Sequence, residues 1–278
     1  LTFYQQIRNI SADQAIYDLA NRLGIKQESV VVKKDVNEHL YQMMTEAQSF
    51  YQFVLNNSEF GKNALDYLHK RELTDEQIQH FGIGASPQQD RDALYQMLLS
   101  KQYQVSDMLS LGLVKQADDG TYYDLFTARL MFPITNPQGQ VVGFSGRTLN
   151  PKESIKYVNS PETKIFKKGE LLYHLHEGQR AINQYKQVIL HEGFFDVIGS
   201  YKAGMSNVVA TMGTALTVKQ AKLIKQVTDS VIVAYDGDKA GLAAMMKAAP
   251  ILQKEKLKIE FLMIPEKMDP DDFVKAYG

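Results

Sequence analysis

Short apolar segments alternate with helical ones throughout the sequence after residue 186. A brief apolar run followed by a segment with apolar side chains three and four positions apart indicates a strand and then a helix, and repetition of this unit indicates a parallel sheet. The predicted strands are Val188 to His191, Asn207 to Thr211, Ser230 to Tyr235 and Lys258 to Ile264. The predicted helices span 195–203, 217–227, 239–254 and the residues from Pro270 onward. Because open parallel sheets bind ligands at the carboxyl ends of their strands, we expect a site there.

The first 185 residues have a different pattern, with helical periodicity first and a hairpin later. Amphipathic helices are predicted over 2–24, 36–56 and 62–71, and Thr74 is the predicted N-cap of a short helix over 75–80. Two further apolar runs, Ala128 to Pro133 and Val141 to Phe144, are predicted to pair through a turn at 136–139. The fold class is therefore α/β, with an amino-terminal α+β subdomain over 1–185 and a parallel sheet flanked by helices over 186–278.

Three features of the composition limit the class of protein and of site. No apolar run is long enough to cross a bilayer and the start of the sequence has no signal pattern, so we expect a cytoplasmic protein without a membrane partner. Cysteine is absent, which excludes thiolate zinc sites and leaves hard, carboxylate-bound ions. The 31 Lys and Arg residues balance 32 Asp and Glu residues, so a surface for nucleic acid must be a local patch.

Acidic residues follow three of the four predicted strands. They are Glu192, the pair Asp236 and Asp238, and the pair Asp269 and Asp271. Gly237 lets the chain turn between the members of the first pair. Carboxylates gathered at one sheet edge repel each other unless cations neutralise them, and oxygen ligands of this kind suit Mg²⁺ or Mn²⁺. The sequence therefore predicts a site for two or more divalent ions, of the type that transfers nucleotidyl groups.

Each acidic group also has a purely structural interpretation. Glu192 can be a solvated strand end, Asp-Gly is a common turn, and Asp269-Pro270-Asp271-Asp272 is also how an ordinary helix begins. Three acidic groups in register after strands of one sheet favour the common site over three coincidences.

The segments Glu192-Gly193-Phe194-Phe195-Asp196-Val197 and Asp236-Gly237-Asp238-Lys239-Ala240-Gly241 resemble the signature of the Toprim domain of primases and topoisomerases. In that family the glutamate serves in acid-base chemistry or as a metal ligand, and the aspartates bind divalent ions. The resemblance implies these roles for Glu192, Asp236 and Asp238, and by extension for Asp269 and Asp271. We interpret Asp196 as an acid in the first turn of a helix rather than as a ligand.

A basic stretch upstream resembles the DnaG-type primase core. The similar segments are Arg129 to Ile134, Gly143 to Arg147, Lys156 to Thr163 and Ile165 to Gly169, with further similarity at Ala64 to Leu68 and Phe81 to Gly84. Between residues 147 and 168 there are six Lys or Arg residues and two Glu residues, which makes a local positive patch. The resemblance implies phosphate or nucleic-acid contacts for Arg147, Lys156 and Lys168, and a supporting polar contact for Asn159. A solvated loop is the structural alternative for the lysines.

The resemblance implies that the chain is a DNA primase catalytic core that makes RNA primers from ribonucleoside triphosphates on a single-stranded DNA template. A family member of this type also has a zinc ribbon and a helicase-binding region, so we expect this chain to be an excised fragment that reaches the replicative helicase through a region absent here. A triphosphate pocket between metals and basic side chains also predicts inhibition by guanosine tetraphosphate-type stress nucleotides.

Two alternatives remain open from the sequence. The same acids and metals in a Toprim nuclease or topoisomerase would cut strands rather than join nucleotides, and a topoisomerase needs a tyrosine nucleophile that no motif here identifies. A non-catalytic nucleotide-binding scaffold could keep the fold, although such a scaffold has no need to gather mutually repelling carboxylates.

Overall fold

A computed structural model of the chain describes residues 4, 12–23, 36–265 and 268–277. The chain divides into two compact units, Leu1–His39 and Leu40–Gly278. In the first unit, helix α1 (Ala12–Arg22) confirms part of the helix predicted over 2–24, and most of the remaining residues of that range lie outside the described ones. Within the described ranges, no helix is both long and apolar enough to cross a lipid bilayer.

Helices and short strands alternate up to residue 185. The helices are α2 (Glu38–Asn57), α3 (Glu59–Lys70), α4 (Asp75–His80), α5 (Ala93–Ser100), α6 (Val105–Ser110) and α7 (Leu175–Tyr185). The strands are β1 (Gly84–Ala85), β2 (Val114–Gln116), β3 (Tyr122–Asp124), β4 (Arg129–Thr135), β5 (Val141–Thr148) and β6 (Tyr157–Asn159). Strands β2 and β3 form a separate antiparallel pair.

The predicted hairpin is confirmed and is the centre of a four-stranded antiparallel sheet in the order β1-β4-β5-β6. Asn136 closes the turn, because its Oδ1 accepts hydrogen bonds from the backbone N–H groups of Gln138 and Gln140, each at 3.0 Å. Gly139 takes a φ of 81°, which glycine adopts at little cost. Strand β5 runs four residues further than predicted, to Thr148, and β6 pairs with this extension.

The predicted short helix α4 begins at the expected N-cap. Thr74 Oγ1 accepts from the backbone N–H of Gln77 at 3.2 Å, and Gln77 Oε1 accepts from the backbone N–H of Thr74 at 3.0 Å. This reciprocal capping box satisfies two backbone donors that a helix start leaves unpaired.

The predicted parallel sheet is confirmed. Its strands are β7 (Val188–His191), β8 (Val208–Ala210), β9 (Ser230–Val233) and β10 (Lys258–Phe261), in the order β10-β9-β7-β8. Its helices are α8 (Phe194–Lys202), α9 (Val218–Val227), α10 (Lys239–Lys254) and α11 (Pro270–Tyr277). The core on one side of the sheet includes Val188, Leu190, Val231 and Leu252, none of which is exposed. Because β7 lies between β8 and β9, the segments after β7 and β9 leave the sheet side by side.

The predicted strands β8, β9 and β10 extend past the observed pairing. Tyr235 and Ile264 are only 2% and 6% exposed, so they are buried like strand residues although they lie in the loops beyond the last paired residue. Apolar side chains in these loops cover the carboxyl edge of the sheet. Because these buried residues are apolar, the sequence pattern predicted strand where the structure has loop.

Aromatic side chains join the antiparallel sheet to the first turn of α8. The Phe194 ring stacks on Phe132 at a centroid distance of 5.1 Å and on Tyr157 at 5.8 Å, and Phe195 meets Phe132 edge-on at 5.6 Å. Each such pair contributes roughly 0.5–1.5 kcal/mol beyond its buried area. These contacts hold the basic stretch on β5 and β6 against the sheet edge. The domain boundary predicted at 185/186 lies between α7 and β7 and stays a prediction.

Candidate active site

Glu192 lies directly after β7 at the carboxyl edge of the parallel sheet. Its Oε1 is buried and accepts no hydrogen bond from any described residue. Burial raises the pKa of Glu192, and the nearby carboxylates of Asp236 and Asp238 raise it further, while a hydrogen bond from the backbone of Asp236 opposes the shift. Glu192 therefore faces the Asp236 loop with an oxygen that is free for a cation or a proton.

Asp236 lies between the other acids. Burial, followed by the charges of Asp269, Asp238 and Asp272, raises the pKa of Asp236 to about 6. These mutual effects require the acids after β9 and those before and within α11 to lie near each other. These effects support the predicted convergence of the first and second acidic groups with Asp269, which stays a prediction.

Gly237 is required here for close packing. A Cβ at this residue would lie 2.2 Å from the carbonyl oxygen of Pro265, and the Gly237 N–H donates to the carbonyl of Met268 at 3.0 Å. The chain after β10 therefore passes directly over the Asp236 loop and brings Asp269 to it. The sequence suggested instead that Gly237 serves a turn, and its φ is not positive.

Asp238 and Asp269 each hold the start of a helix. The backbone N–H of Gly241 donates to Asp238 Oδ1 at 2.7 Å, and the backbone N–H of Asp272 donates to Asp269 Oδ1 at 2.7 Å. Each cap uses one carboxylate oxygen and leaves the other available. The structural interpretation of Asp269 as a helix start is thus correct, whereas Asp238 caps a helix rather than forming the suggested Asp-Gly turn. Neither cap excludes a ligand role.

Asp271 has a different environment. It is only 5% exposed, and its Oδ2 accepts from Arg71 at 3.1 Å and from Lys275 at 2.6 Å. Its Oδ1 faces α8, where a Cβ on Gly199 would approach it to 2.7 Å. Both cations bind Oδ2, so the predicted role of Asp271 as a ligand falls to Oδ1.

Asp196 also lies near these acids, and the sequence did not predict that it would. It is 8% exposed, and its Oδ2 accepts from the backbone N–H of Gly193 at 3.0 Å, as expected for a first-turn acid. Burial raises the pKa of Asp196 to about 8, with Asp236, Asp269 and Asp271 adding to the shift. The signal available in the sequence was its position in the first turn of α8, directly after the loop that carries Glu192.

The acidic group fits a divalent cation chemically. It offers hard oxygen ligands, an oxygen of Glu192 without a partner, and charges that raise each other's pKa and that a cation would relieve. In this conformation, no group of three His, Cys, Asp or Glu side chains among the described residues is arranged to hold a metal ion.

The predicted basic residues are not all placed alike. Arg147 lies at the interface with α8. Its Nη1 donates to the hydroxyl of Tyr157, on β6, at 3.1 Å. Lys156 is exposed, and Lys168 is half-buried beside Glu162, with burial lowering its pKa and the Glu162 charge opposing this. Asn159 has a buried Oδ1 without a partner among the described residues, beside Ser145 on the neighbouring strand. Of the four, only Arg147 is linked by described contacts to the helix that carries Asp196.

Two family models match the chain and together cover most of it. "DNA primase catalytic core, N-terminal domain" matches residues 50–179, and "Toprim-like" matches residues 189–274. The DNA primase of Halalkalibacterium halodurans is 40% identical over all of this chain and 47% of its own length. The chain thus spans about half the length of this relative.

Solved structures show the same similarity. The Aquifex aeolicus primase, comprising zinc-binding and RNA polymerase domains, superposes with a TM-score of 0.80 at 33% identity, over 100% of this chain and 67% of that one. A DnaG primase catalytic domain bound to single-stranded DNA superposes with a TM-score of 0.79 at 34% identity, over 87% of this chain and 76% of that one.

Proposed function

The chain belongs to the DNA primase catalytic-core family, and on that premise we propose that it joins ribonucleotides into short RNA primers on a single-stranded DNA template. The observation that carries this proposal is the convergence of Glu192, Asp236, Asp238 and Asp269 at one edge of the parallel sheet. Arg147 on the neighbouring antiparallel sheet, with Lys156 and Lys168 in the segments that follow it, supplies the opposite charge that a triphosphate and a template backbone need.

The ligands proposed for two or more Mg²⁺ or Mn²⁺ ions are Glu192, Asp236, Asp238 and Asp269, with Asp271 as a fifth through its Oδ1. Bound ions would supply positive charge for the attacking 3′-hydroxyl, the α-phosphate and the leaving pyrophosphate. The orphaned oxygen of Glu192 and the mutual repulsion of the aspartates support this assignment.

Glu192 is the proposed proton acceptor for the 3′-hydroxyl. Burial and neighbouring charges raise its pKa, which brings a carboxylate closer to the range in which it can exchange a proton near neutral pH. Arg147, Lys156 and Lys168 neutralise phosphates of the nucleotide or of the nucleic-acid strands, and Asn159 makes a supporting polar contact. We keep the subdomain boundary at 185/186, which falls between the two family matches.

Further partners follow from the family. The replicative helicase is proposed to reach this chain through a region that the longer relatives contain, and the site of action is the bacterial cytoplasm, where chromosomes are replicated. Guanosine tetraphosphate-type nucleotides are proposed inhibitors, because their two pyrophosphate groups match the metals and the basic side chains while they lack a free 3′-hydroxyl.

One incubation tests the proposal against its alternatives. Labelled ribonucleotides, single-stranded DNA and Mn²⁺ are mixed with the protein and resolved on a gel. Short labelled RNA supports primer synthesis, cut template supports a nuclease or topoisomerase, and unchanged mixtures support a non-catalytic scaffold. Either of the last two results overturns the proposal.

A further inference from the structure

The guanidinium of Arg147 is held by aromatic rings. Its Cζ lies 4.8 Å from the ring centroid of Phe195, 5.4 Å from that of Tyr67 and 5.5 Å from that of Tyr157. Its one recorded hydrogen bond goes to the Tyr157 hydroxyl, and within the described residues no carboxylate is recorded as its ion-pair partner. A cation in this setting is fixed in place while its charge remains unneutralised.

This arrangement keeps most of the hydrogen-bonding capacity of Arg147 available. A guanidinium has five N–H donors in one plane, and only one is used by Tyr157. The contacts with the three rings hold the guanidinium without consuming a donor. The remaining donors suit two oxygens of a phosphate group, which arginine binds in a bidentate manner.

Tyr67 is also held by a second arginine. Arg71 Nε donates to the Tyr67 hydroxyl at 2.8 Å, and the Arg71 Cζ lies 4.3 Å from the Phe195 ring centroid. Arg71 differs from Arg147 in having a carboxylate partner, since its Nη1 lies 3.1 Å from Asp271 Oδ2. The two arginines thus share the rings of Tyr67 and Phe195, and only one of them is neutralised.

We propose that Tyr67 is a positioning residue that orients the guanidinium of Arg147 toward a phosphate group, and that Arg71 and Asp271 hold Tyr67 in place. The inference rests on the proposed function, and it adds a residue from α3 to the site, far in sequence from the basic stretch. It also gives Asp271 a role of its own. Its ion pair with Arg71, beside Lys275, keeps Arg71 in position at Tyr67.

A double-mutant cycle between Tyr67 and Arg147 tests the proposal. Binding of magnesium-GTP and of a single-stranded DNA oligomer is measured by titration calorimetry for Tyr67→Leu, Arg147→Ala and the double variant. Tyr67→Leu should weaken binding of the ligand that Arg147 contacts by about two- to thirtyfold, the range of one cation–π contact. In the Arg147→Ala background the same change should have almost no further effect. The ligand that responds identifies the phosphate as that of the nucleotide or that of the strand.

Tyr95→Leu is the matched control, because Tyr95 is a stacked tyrosine in α5 with no arginine over its ring among the recorded contacts. It should bind both ligands like the parent. Tyr67→Phe loses the hydroxyl that Arg71 Nε holds but keeps the ring, over which Arg71 Cζ also lies at 5.5 Å, so it should stay within about threefold of the parent. A loss with Tyr67→Phe as large as that with Tyr67→Leu would overturn the role of the ring.

Arg147→Lys keeps the proposal testable if Tyr67→Leu does not fold. Lysine retains the charge but has no planar fork to stack and to donate in pairs, so its binding should fall nearly as far as that of Arg147→Ala. Parent-like binding by Arg147→Lys, or additive effects in the cycle, would show that the rings only pack against the side chain. A parent protein that binds neither ligand would instead contradict the proposed function.

Discussion

Arg71 Nη1 lies 3.1 Å from Asp271 Oδ2, across 200 residues of sequence. The Asp271 side chain is 7% exposed and that of Arg71 is 29% exposed, so the pair is largely shielded from water. Lys275 donates to the same carboxylate oxygen at 2.6 Å. This ion pair fixes the third acidic segment to the end of α3 and thereby sets where Asp269 enters the acidic group.

Arg71→Ala should therefore destabilise the protein. The variant leaves Asp271 buried with Lys275 as its remaining partner, which costs about 1–3 kcal/mol in the free energy of unfolding, because an under-neutralised buried carboxylate loses hydration without full compensation. Urea unfolding measures the loss. Lys219→Ala is the matched control, because its pair with Glu170 is exposed and should cost less than about 1 kcal/mol. Equal losses in the two variants would contradict the structural role of the buried pair.

Asp236→Asn and Asp238→Asn should weaken the binding of divalent ions. Each variant removes one negative ligand, and asparagine can keep the N-cap at residue 238, so the fold should be retained. Mg²⁺ or Mn²⁺ should raise the melting temperature of the parent more than that of either variant, because at a given concentration a ligand that binds the folded state more tightly stabilises it more.

The control for the metal measurement is Asp229→Asn. Asp229 is exposed and precedes β9, at the opposite edge of the sheet, where it pairs with Lys225. Its metal-induced shift should match that of the parent. If the shifts of Asp236→Asn and Asp238→Asn match it too, these two aspartates are not ligands.

Lys156→Ala and Lys168→Ala should weaken the binding of nucleotide or single-stranded DNA and leave metal binding intact. A lysine on the template backbone contributes to counterion release, so its loss should reduce the slope of log K against log salt by about 0.7 for single strands. Fluorescence anisotropy at several salt concentrations measures this slope. Lys247→Ala, on the exposed face of α10, should leave it unchanged. A reduced GTP affinity with an unchanged slope would assign the lysine to the nucleotide. No change in either quantity would show that the lysine contacts neither ligand.

His174 should make stability depend on pH. Burial lowers the pKa of His174, a shift that its Nδ1 bond to the Val208 carbonyl and the Glu177 charge oppose and that His80 reinforces. Because the folded state disfavours the protonated ring, the stabilisation is complete above the unfolded pKa of about 6.5 and is lost as pH falls below it, by up to about 1.4 kcal/mol per pH unit.

The comparison for this pH effect is His174→Asn, since asparagine tolerates the φ of 64° found here. The free energy of unfolding should fall less steeply between pH 7 and pH 5 in His174→Asn than in the parent. Parallel pH profiles would show that His174 does not titrate differently in the two states.

Periodicity sufficed to predict most of the fold. Buried apolar runs located the four parallel strands, and the capping residues placed helices such as α4 to the residue. Strand ends were less predictable, because Tyr235 and Ile264 are buried by loops and no pattern separates burial from pairing. Strand β6, which pairs with the hairpin strand β5, was missed because its three half-buried residues are too few to form a recognisable pattern.

The place of the acidic residues at one sheet edge was predictable, and their individual environments were less so. Strand ends of one parallel sheet meet at one edge, which brought Glu192 and Asp236 together in the prediction. The pairing of Asp271 with Arg71 could not be predicted, since it depends on how α3 packs against α11. Asp196 was interpreted as a helix acid, and its membership of the group depends on burial that a single sequence does not reveal.

Glu192→Gln tests most directly whether the carboxylates at this sheet edge carry out nucleotidyl transfer. The rate of RNA primer synthesis on single-stranded DNA is measured for the parent, for this variant and for Glu76→Gln, an exposed glutamate in α4, after circular dichroism has shown that all three are folded. Glu192→Gln should lose at least about a hundredfold in rate, because it removes a proton acceptor and a charged ligand at once, and Glu76→Gln should match the parent. Near-parental synthesis by Glu192→Gln would contradict the account.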